Sequence, residues 1–211
     1  MSVRKQQKEE TRSLLLTAAV KTFHKKGLHD TRISDIVAAA GVAQGTFYNY
    51  FKSKEAIFQQ IADNYMNHYG RLFAENAAAL FGAEQEAMDP HEMVKKFRLF
   101  IRQLLRSCRE NIETAQLVFG EGAGSVGPFH DICSGVIAYF ISLIEMFVKS
   151  ARQQGIVAFD DEEMAAAMIF GVFQRSMFYF LLINDDYDEA RFERGISTFI
   201  LSGLGLEGMA L

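Results

Sequence analysis

Proline is nearly absent from this chain, and this constrains the fold more than any other feature of the sequence. Only Pro90 and Pro128 occur among 211 residues. Since proline is the residue that most strongly interrupts helices, long helices with short connections are permitted over most of the chain. Apolar residues make up 49% of the composition, which is enough for a sizeable core. No stretch of useful length alternates apolar and polar residues as a strand would. We therefore predict an all-α fold.

Apolar residues recur at the spacing of a helix face in about nine segments. In the first segment, Leu16, Ala19, Val20 and Phe23 form one stripe, and Gly27 suits the left-handed residue that ends a helix. Capping residues and prolines at first turns indicate where the other helices begin. The predicted helices cover residues 9–26, 31–40, 44–50, 54–80, 90 to beyond 105, 112–119, 129–154, 161–184 and 188–202.

Charge is divided unevenly along the chain. Residues 1–54 contain ten Lys or Arg and four Asp or Glu, whereas the remainder contains 12 basic and 22 acidic residues. A basic head on an acidic body suggests that only the head meets a polyanion. A solvated charged arm would have the same composition, so charge alone leaves both interpretations open. Residues 1–10 contain no apolar run, and we expect no secretory signal.

Two short predicted helices meet at a glycine within residues 31–54. Gly41 stands where the turn between them requires a positive φ, and Ile36, Val42 and Phe47 are spaced so that the two helices can pack at a steep angle. The residues that the second helix turns outward are Gln44, Gly45, Thr46, Tyr48 and Asn49. These are hydrogen-bonding groups without carboxylates, which suits a helix lying against phosphates and base edges.

The segment GVAQGTFYNYFKSKE at residues 41–55 closely resembles the most characteristic segment of the TetR family of repressors. The resemblance extends over residues 11–65, and the rest of the chain is similar only in length and helical pattern. It implies a three-helix helix-turn-helix DNA-binding domain at residues 1–54 and a larger helical domain at residues 55–211 that binds a ligand and dimerises. The implied partners are double-stranded operator DNA, a small hydrophobic or amphipathic effector and a second copy of the chain, in the bacterial cytoplasm on the nucleoid.

The resemblance also assigns DNA contacts by position. Thr31 and Arg32 would contact phosphate, Gln44 would read a base edge, and Lys54 would bind a phosphate with help from the helix dipole. The full set implied is Thr31, Arg32, Gln44, Gly45, Thr46, Tyr48, Asn49, Tyr50 and Lys54. Tyr48 and Tyr50 could also be packing tyrosines, and Tyr50 lies on the inward spacing as well. Ala43 departs from the family pattern, because a polar residue often caps the recognition helix there.

The C-terminal region is rich in Phe and Met, which favours a bulky apolar effector in an adaptable cavity. The candidate lining residues are Phe97, Phe100, Leu104, Phe119, Tyr139, Phe140, Leu143, Phe170, Phe173 and Gln174. Each of them could instead be plain core. Arg175 lies within an apolar helix and would need a partner, which could be Glu145, a backbone carbonyl or an acidic ligand.

The predicted helix over residues 161–184 is apolar nearly all round, so it is either buried or spans a membrane. Gln174 and Arg175 at its centre, its acidic flanks and the lack of other such segments favour burial. In the resembled family the last two helices pair with their copies. Residues 161–202 are therefore the predicted dimer interface, with Phe173, Met177, Phe180 and Leu181 as candidates.

No constellation in the sequence indicates catalysis, a metal or a cofactor. The five histidines lack metal-ligand spacing, and no nucleophile elbow occurs. The glycine-rich stretch at residues 120–127 lacks the strand and the Lys-Ser/Thr ending of a P-loop, so we predict a mobile loop near the pocket entrance. Cys108 and Cys133 are expected to be reduced and buried. An enzyme is the rival class to a regulator.

Overall fold

The structure is a computed structural model that describes residues 3–82, 89–121, 124, 126–157, 159–183 and 188–205. Within these residues the regular structure is helical and contains no strand, which confirms the all-α prediction. Two π-helical turns, Leu117–Glu121 and Tyr179–Ile183, extend two of the helices. The α-helices are α1 (Val3–Lys26), α2 (Ile33–Ala40), α3 (Gln44–Tyr48), α4 (Lys54–Phe81), α5 (Pro90–Glu110), α6 (Ile112–Gln116), α7 (Pro128–Gln153), α8 (Glu162–Phe178) and α9 (Glu189–Gly203).

Helix boundaries differ from the prediction mainly near the N-terminus. α1 begins at Val3 rather than near residue 9, so the basic residues at its start are helical. α2 begins at Ile33, because Arg32 and not Thr31 occupies the N-cap position. The connection predicted around residues 81–90 lies largely outside the described residues, as do residues 122, 123 and 125 of the stretch 120–127.

Aspartate caps define where the last two helices begin. The carboxylate of Asp161 accepts a hydrogen bond from the backbone N–H of Met164 at 2.9 Å. The carboxylate of Asp188 accepts from the N–H groups of Ala190 and Arg191 at 2.9 and 3.1 Å. These bonds satisfy donors that have no partner within the first turn of a helix. The predicted starts of α8 and α9 are confirmed.

The chain forms two compact units. Unit 1 comprises residues up to 67 together with residues 111–137, and unit 2 comprises residues 68–110 together with residues from 138 onward. Consequently α4 and α7 each contribute one part to unit 1 and the other part to unit 2. The sequence predicts a domain boundary between residues 54 and 55 that separates DNA binding from effector binding. This boundary stays a prediction.

Unit 1 is held together by phenylalanine side chains from three helices. The buried rings of Phe23 in α1, Phe58 in α4 and Phe129 in α7 meet edge to face, with centroids 5.8 Å apart for the first pair and 5.3 Å for the last pair. Edge-to-face aromatic pairs add to the gain from apolar burial. Phe47 and Phe51 are also buried, as the sequence predicted.

Unit 2 has an aromatic core of its own. The ring of Phe73 in α4 lies edge to face against Phe100 in α5 and Phe147 in α7, which stack on each other at 5.2 Å. Gly70 stands in the middle of α4 because a Cβ atom there would lie 2.2 Å from the hydroxyl oxygen of Tyr139. This close approach explains a residue that otherwise weakens a helix.

A buried carboxylate joins α5 to α9 within unit 2. The side chain of Glu193 is 1% exposed, and its oxygens accept hydrogen bonds from Arg98 Nε at 2.7 Å and from Arg102 Nη2 at 3.1 Å. Arg106 and Glu189 extend the row with an ion pair at 3.0 Å. Burial alone would raise the pKa of Glu193, but the hydrogen bonds from the two arginines outweigh burial and hold the pKa below its ordinary value.

We expect Glu193→Gln to lower the free energy of unfolding at pH 7 by about 2–4 kcal/mol, because two arginines lose a buried counter-charge. Since the pKa of Glu193 is lowered by folding, this contribution is present above the ordinary pKa of glutamate and is lost as the pH falls through the folded value. The difference between variant and parent should therefore shrink below about pH 4.

Urea unfolding followed by circular dichroism at about pH 7 and about pH 3.5 measures this difference. Glu189→Gln is the matched control. Its more exposed pair with Arg106 should be worth less than about 1 kcal/mol. A Glu193→Gln protein as stable as the parent at neutral pH would show that the network does not stabilise unit 2.

Candidate functional site

The turn between α2 and α3 has the geometry that the sequence predicts. Gly41 has a φ of +68°, a backbone conformation that residues with a Cβ atom rarely adopt. Its N–H donates to the carbonyl of Ala38 at 3.3 Å, and the N–H of Val42 donates to the carbonyl of Val37 at 3.1 Å. These bonds end α2 and allow α3 to begin at Gln44. The predicted need for glycine at position 41 is confirmed.

One side of α3 is buried, and its opposite side exposes polar groups. Phe47 is fully buried and packs on Phe51, whose ring centroid lies 5.8 Å away. The outward residues are Gln44, Gly45, Tyr48 and Asn49, which are exposed, and Thr46 and Tyr50, which are half-buried. The side chain of Tyr48 is 53% exposed, so it is not a packing tyrosine. Ala43 occupies the N-cap and makes no side-chain hydrogen bond, as expected from its identity.

Arg32 is exposed at the start of α2. Its backbone N–H donates to the carboxylate of Asp35 at 2.9 Å, and the same carboxylate accepts from Lys26 at 2.7 Å. The hydrogen bond from Lys26 and the one from the Arg32 backbone lower the pKa of Asp35. Asp35 is thus ionised at neutral pH and engaged with Lys26 and the helix start. The exposed guanidinium of Arg32 stands beside the first turn of α2, where an anion would be favoured.

Two predicted phosphate contacts do not have the side-chain placement that the resemblance implied. Thr31 is 1% exposed, and its hydroxyl donates to the carbonyl of Gly27 at 2.7 Å. Lys54 Nζ donates to the carbonyls of Leu28, His29 and Thr31 at 3.0, 2.6 and 3.2 Å. An ammonium group has three protons, so these bonds use all of its donors. Both side chains serve the protein itself, and we leave them out of the proposed DNA contacts.

An open cleft of about 580 Å³ lies in unit 1 beside Gln44 and the first turns of α2 and α4. Its lining residues include Arg32, Ser34, Gln44, Lys52, Ser53 and Lys54. Asp30 and Glu55 also line it, so the charge of its wall is mixed. Through Gln44 the cleft borders the exposed polar side of α3.

The ten predicted effector-binding residues are divided between the units. Phe119 lies in unit 1, where its ring centroid is 6.0 Å from that of Tyr65. The other nine lie in unit 2, and of these Phe100, Leu104 and Phe140 are buried. The remaining six are half-buried, namely Phe97, Tyr139, Leu143, Phe170, Phe173 and Gln174. None of the ten lines the cleft of unit 1 or the α8–α9 groove described next, so their role in effector binding stays a prediction.

The outer surface of α8, its π-helical turn and α9 exposes large apolar side chains. Met168 is 56% exposed and Phe199 is 61% exposed. The other members of this surface are Met164, Tyr179, Leu182 and Ile183. The predicted interface residue Met177 is instead 3% exposed, because it points into unit 2. The exposed positions 164, 168, 175, 179 and 182 recur at helical spacing, a signal that could have identified this face from the sequence.

A groove of about 380 Å³ lies between α8 and α9 on this surface. Its lining residues include Val172, Ser176, Phe180, Phe192, Ile196 and Phe199. The ring of Phe180 packs against that of Phe192 with centroids 5.5 Å apart, and Phe173, which does not line the groove, packs against the same ring at 6.4 Å. We call the exposed apolar side chains and this groove the α8–α9 face.

Two helical segments, Pro128–Gln153 and Glu162–Ile183, are long and apolar enough to cross a membrane by length and composition. Glu162–Ile183 therefore has a counterpart in Pro128–Gln153, and the expectation that it has none is wrong. Of the residues in their most apolar windows, 22% and 17% are buried. Arg175 is exposed, which removes the need for a buried counter-charge.

The described residues contain no group of three or more His, Cys, Asp or Glu side chains that could hold a metal ion. Burial raises the pKa of Cys108 to about 12 and that of Cys133 to about 11. Both cysteines are free and buried, as the sequence predicted. Their raised pKa values keep them protonated at neutral pH, so they are poor nucleophiles.

Comparison with known proteins finds the same helix-turn-helix similarity within unit 1 that the sequence showed. The sequence model of the bacterial regulatory proteins of the tetR family matches residues 15–61. The uncharacterized HTH-type transcriptional regulator YvdT of Bacillus subtilis is 52% identical over 54 residues, which cover 26% of this chain and 28% of YvdT. The regulator YdgC of the same organism is matched over 32% of its length. The chain thus matches about three tenths of the length of these relatives.

Solved structures resemble the chain over nearly its whole length. The transcriptional regulator FadR from Bacillus subtilis, in complex with stearoyl-CoA, has a TM-score of 0.73 at 21% identity and covers 90% of this chain and 98% of its own. The SmeT–triclosan complex has a TM-score of 0.75 at 18% identity and covers 92% and 91%. At these identities the likeness concerns the fold. Residues 15–61 thus match the tetR family of bacterial regulatory proteins, and over about nine tenths of the chain the fold resembles that of these two solved structures.

Proposed function

We propose that this protein is a transcriptional repressor that binds a pseudo-palindromic operator as a homodimer and leaves it when a hydrophobic or amphipathic effector binds to unit 2. The observation that carries the proposal is the exposed side of α3, which offers Gln44, Tyr48 and Asn49 without any carboxylate. Arg32 adds a positive charge in the same unit. The protein acts in the bacterial cytoplasm, neither crosses a membrane nor catalyses a reaction, and needs no cofactor.

In this proposal α3 lies in the major groove. Gln44 reads a base edge, since an amide can donate to and accept from adenine at the same time. Tyr48, Asn49 and the half-buried hydroxyls of Thr46 and Tyr50 bind phosphates. A Cβ atom on Gly45 would meet nothing within 4 Å, so the packing of the protein does not require this glycine. Its missing side chain lets the DNA backbone approach α3 closely.

We expect Gln44→Ala to relax base preference by about 1–3 kcal/mol and to leave the salt dependence of binding unchanged. Arg32→Ala should weaken binding to all sequences and reduce the slope of log affinity against log salt concentration by about one unit, because one phosphate contact is lost. Fluorescence anisotropy with a duplex that the parent protein selects from a random library measures both quantities.

Gln59→Ala is the matched control, since Gln59 is an exposed glutamine of unit 1 that bonds Asp63 on its own helix. It should bind like the parent. Unchanged base preference in Gln44→Ala would remove Gln44 from the base contacts. Binding by the parent that does not weaken as salt rises would contradict DNA binding itself.

The α8–α9 face supports dimerisation. Exposed large apolar side chains clustered on one surface commonly mark a protein interface, and α8 has only 17% of its most apolar window buried. A two-fold axis would place the same face of both copies together. Two copies of α3 would then enter successive major grooves about 34 Å apart.

We expect Met168→Glu and Phe199→Glu to produce monomers in sedimentation velocity, because each places a charge in an apolar interface. DNA binding should weaken strongly in both variants, since a monomer reaches only one half-site. Leu99→Glu is the control, as Leu99 is a similarly exposed apolar residue of α5. A parent protein that sediments as a monomer, or variants that remain dimeric, would contradict this interface.

The effector class is supported by the interior of unit 2 and by the relatives. Phe73, Phe100, Phe140 and Phe147 concentrate aromatic surface in unit 2, which suits apolar ligands. Two structures of similar fold contain stearoyl-CoA and triclosan. Because α4 is one helix shared by both units, we infer that it carries the signal. Effector and DNA then oppose each other by linkage, within the limit of the effector's preference for the released state.

Stearoyl-CoA and triclosan are the probes for this part of the proposal. We expect at least one of them to raise the midpoint of thermal unfolding and to weaken duplex binding. The Gln44→Ala variant should keep the thermal shift, since its change lies outside the effector domain. If neither probe shifts the midpoint, and mass spectrometry finds no apolar molecule in the purified protein, the effector class is wrong.

A further inference from the structure

We propose that Phe129 is a positioning residue for DNA binding, because it holds the ammonium of Lys54 in the hydrogen bonds that fix the α1–α2 loop (residues 27–32). It thereby couples the first turn of α7 to the helices that bind DNA. The inference rests on the proposed function, but part of its test does not require DNA.

The ammonium group of Lys54 stands between the loop and the ring of Phe129. Its Nζ atom donates to the carbonyls of Leu28, His29 and Thr31 and lies 5.6 Å from the centroid of the Phe129 ring. Three carbonyl acceptors complete the hydrogen bonding of the ammonium. The ring face then supplies cation–π attraction on a side where no further hydrogen bond can form.

Phe129 also contacts the loop directly. The ring of His29 lies edge to face against it, with centroids 5.5 Å apart. Phe129 itself is buried and is held by the rings of Phe23 and Phe58 at 6.3 and 5.3 Å. Phe129 is therefore fixed by the unit 1 core and contacts both Lys54 and His29. For this reason its position determines where the loop lies.

The loop in turn determines where the DNA-binding helices begin. Its last residues are Thr31, whose carbonyl is bound by Lys54, and Arg32, the N-cap of α2. The Thr31 hydroxyl closes the loop on Gly27 at 2.7 Å. Since α2 leads through the turn at Gly41 directly into α3, a loose loop would leave both Arg32 and α3 less well positioned. Lys54 and Phe129 would thus support binding without contacting DNA.

The alternative role for Lys54 is a direct phosphate contact, and salt dependence separates the two roles. A lost phosphate contact lowers the slope of log affinity against log salt concentration by about one unit. A lost positioning contact weakens affinity at every salt concentration and leaves the slope unchanged, because the number of phosphates bound stays the same.

The variants are Phe129→Leu, Lys54→Met and the pair combined, with Phe58→Leu as the matched control. Phe58→Leu removes a ring from the same aromatic cluster. It leaves the Phe129 ring, over which the Lys54 ammonium lies, in place. All variants are compared as full chains below their melting temperatures, on the duplex selected by the parent. Hydrogen exchange of residues 28–35, followed by mass spectrometry without DNA, reports on the loop itself.

We expect Phe129→Leu and Lys54→Met each to weaken binding about tenfold with an unchanged salt slope. The combined variant should bind like Lys54→Met, because both changes remove the same contact between the Lys54 ammonium and the Phe129 ring. Exchange in residues 28–35 should be faster in Phe129→Leu than in Phe58→Leu. Lys54→Arg should recover part of the affinity, since a guanidinium can also bind carbonyls and a ring face.

Affinity in Phe129→Leu that falls no further than in Phe58→Leu would overturn the proposal, as would equal exchange rates in these two variants. A salt slope lowered by about one unit in Lys54→Met would assign Lys54 to a phosphate instead. Absence of salt-dependent duplex binding by the parent would overturn the proposed function. Faster exchange in Phe129→Leu would in that case still support the contact between Phe129, Lys54 and the loop.

Discussion

Unit 1 depends on the burial of three phenylalanine rings that come from distant parts of the sequence. Phe23, Phe58 and Phe129 belong to α1, α4 and α7, and their edge-to-face contacts hold these helices in one core. The outer side of α3 is not part of this core, so the polar residues around Gln44 remain exposed. The surface proposed for DNA is therefore left free because other helices supply the aromatic core.

In unit 2, α9 separates two kinds of interaction on two faces of one helix. Glu189 and Glu193, four residues apart, bind arginines of α5. Gly195 and Phe199, also four residues apart, lie on the exposed side. A buried charge facing inward and an exposed phenylalanine facing outward reverse the usual arrangement of a monomeric protein. This reversal is understandable if the outer face is covered by a second chain and the inner face is stabilised by paired charges.

The resemblance predicted which residues of α3 are exposed better than it predicted what the side chains of Thr31 and Lys54 contact. Gln44, Tyr48 and Asn49 are exposed as expected, since the helical period and the buried Phe47 determine their side of α3. Thr31 and Lys54 occupy the expected positions, but their donors are used by backbone carbonyls of the same unit. A position in a motif specifies the backbone, whereas the acceptors nearest to a long side chain depend on segments far away in sequence.

The sequence by itself determined the helical class, the start of most helices, the glycine at the α2–α3 turn and the polar side of α3. These features follow from local physics, namely helical periodicity, capping and the backbone freedom of glycine. Only the tertiary structure decided that Lys54 meets Phe129, that Glu193 is buried between two arginines, and that Met168 rather than Met177 faces outward. Each of these depends on which helices pack together and how each is rotated about its axis, and such long-range contacts leave no periodic signal in the chain.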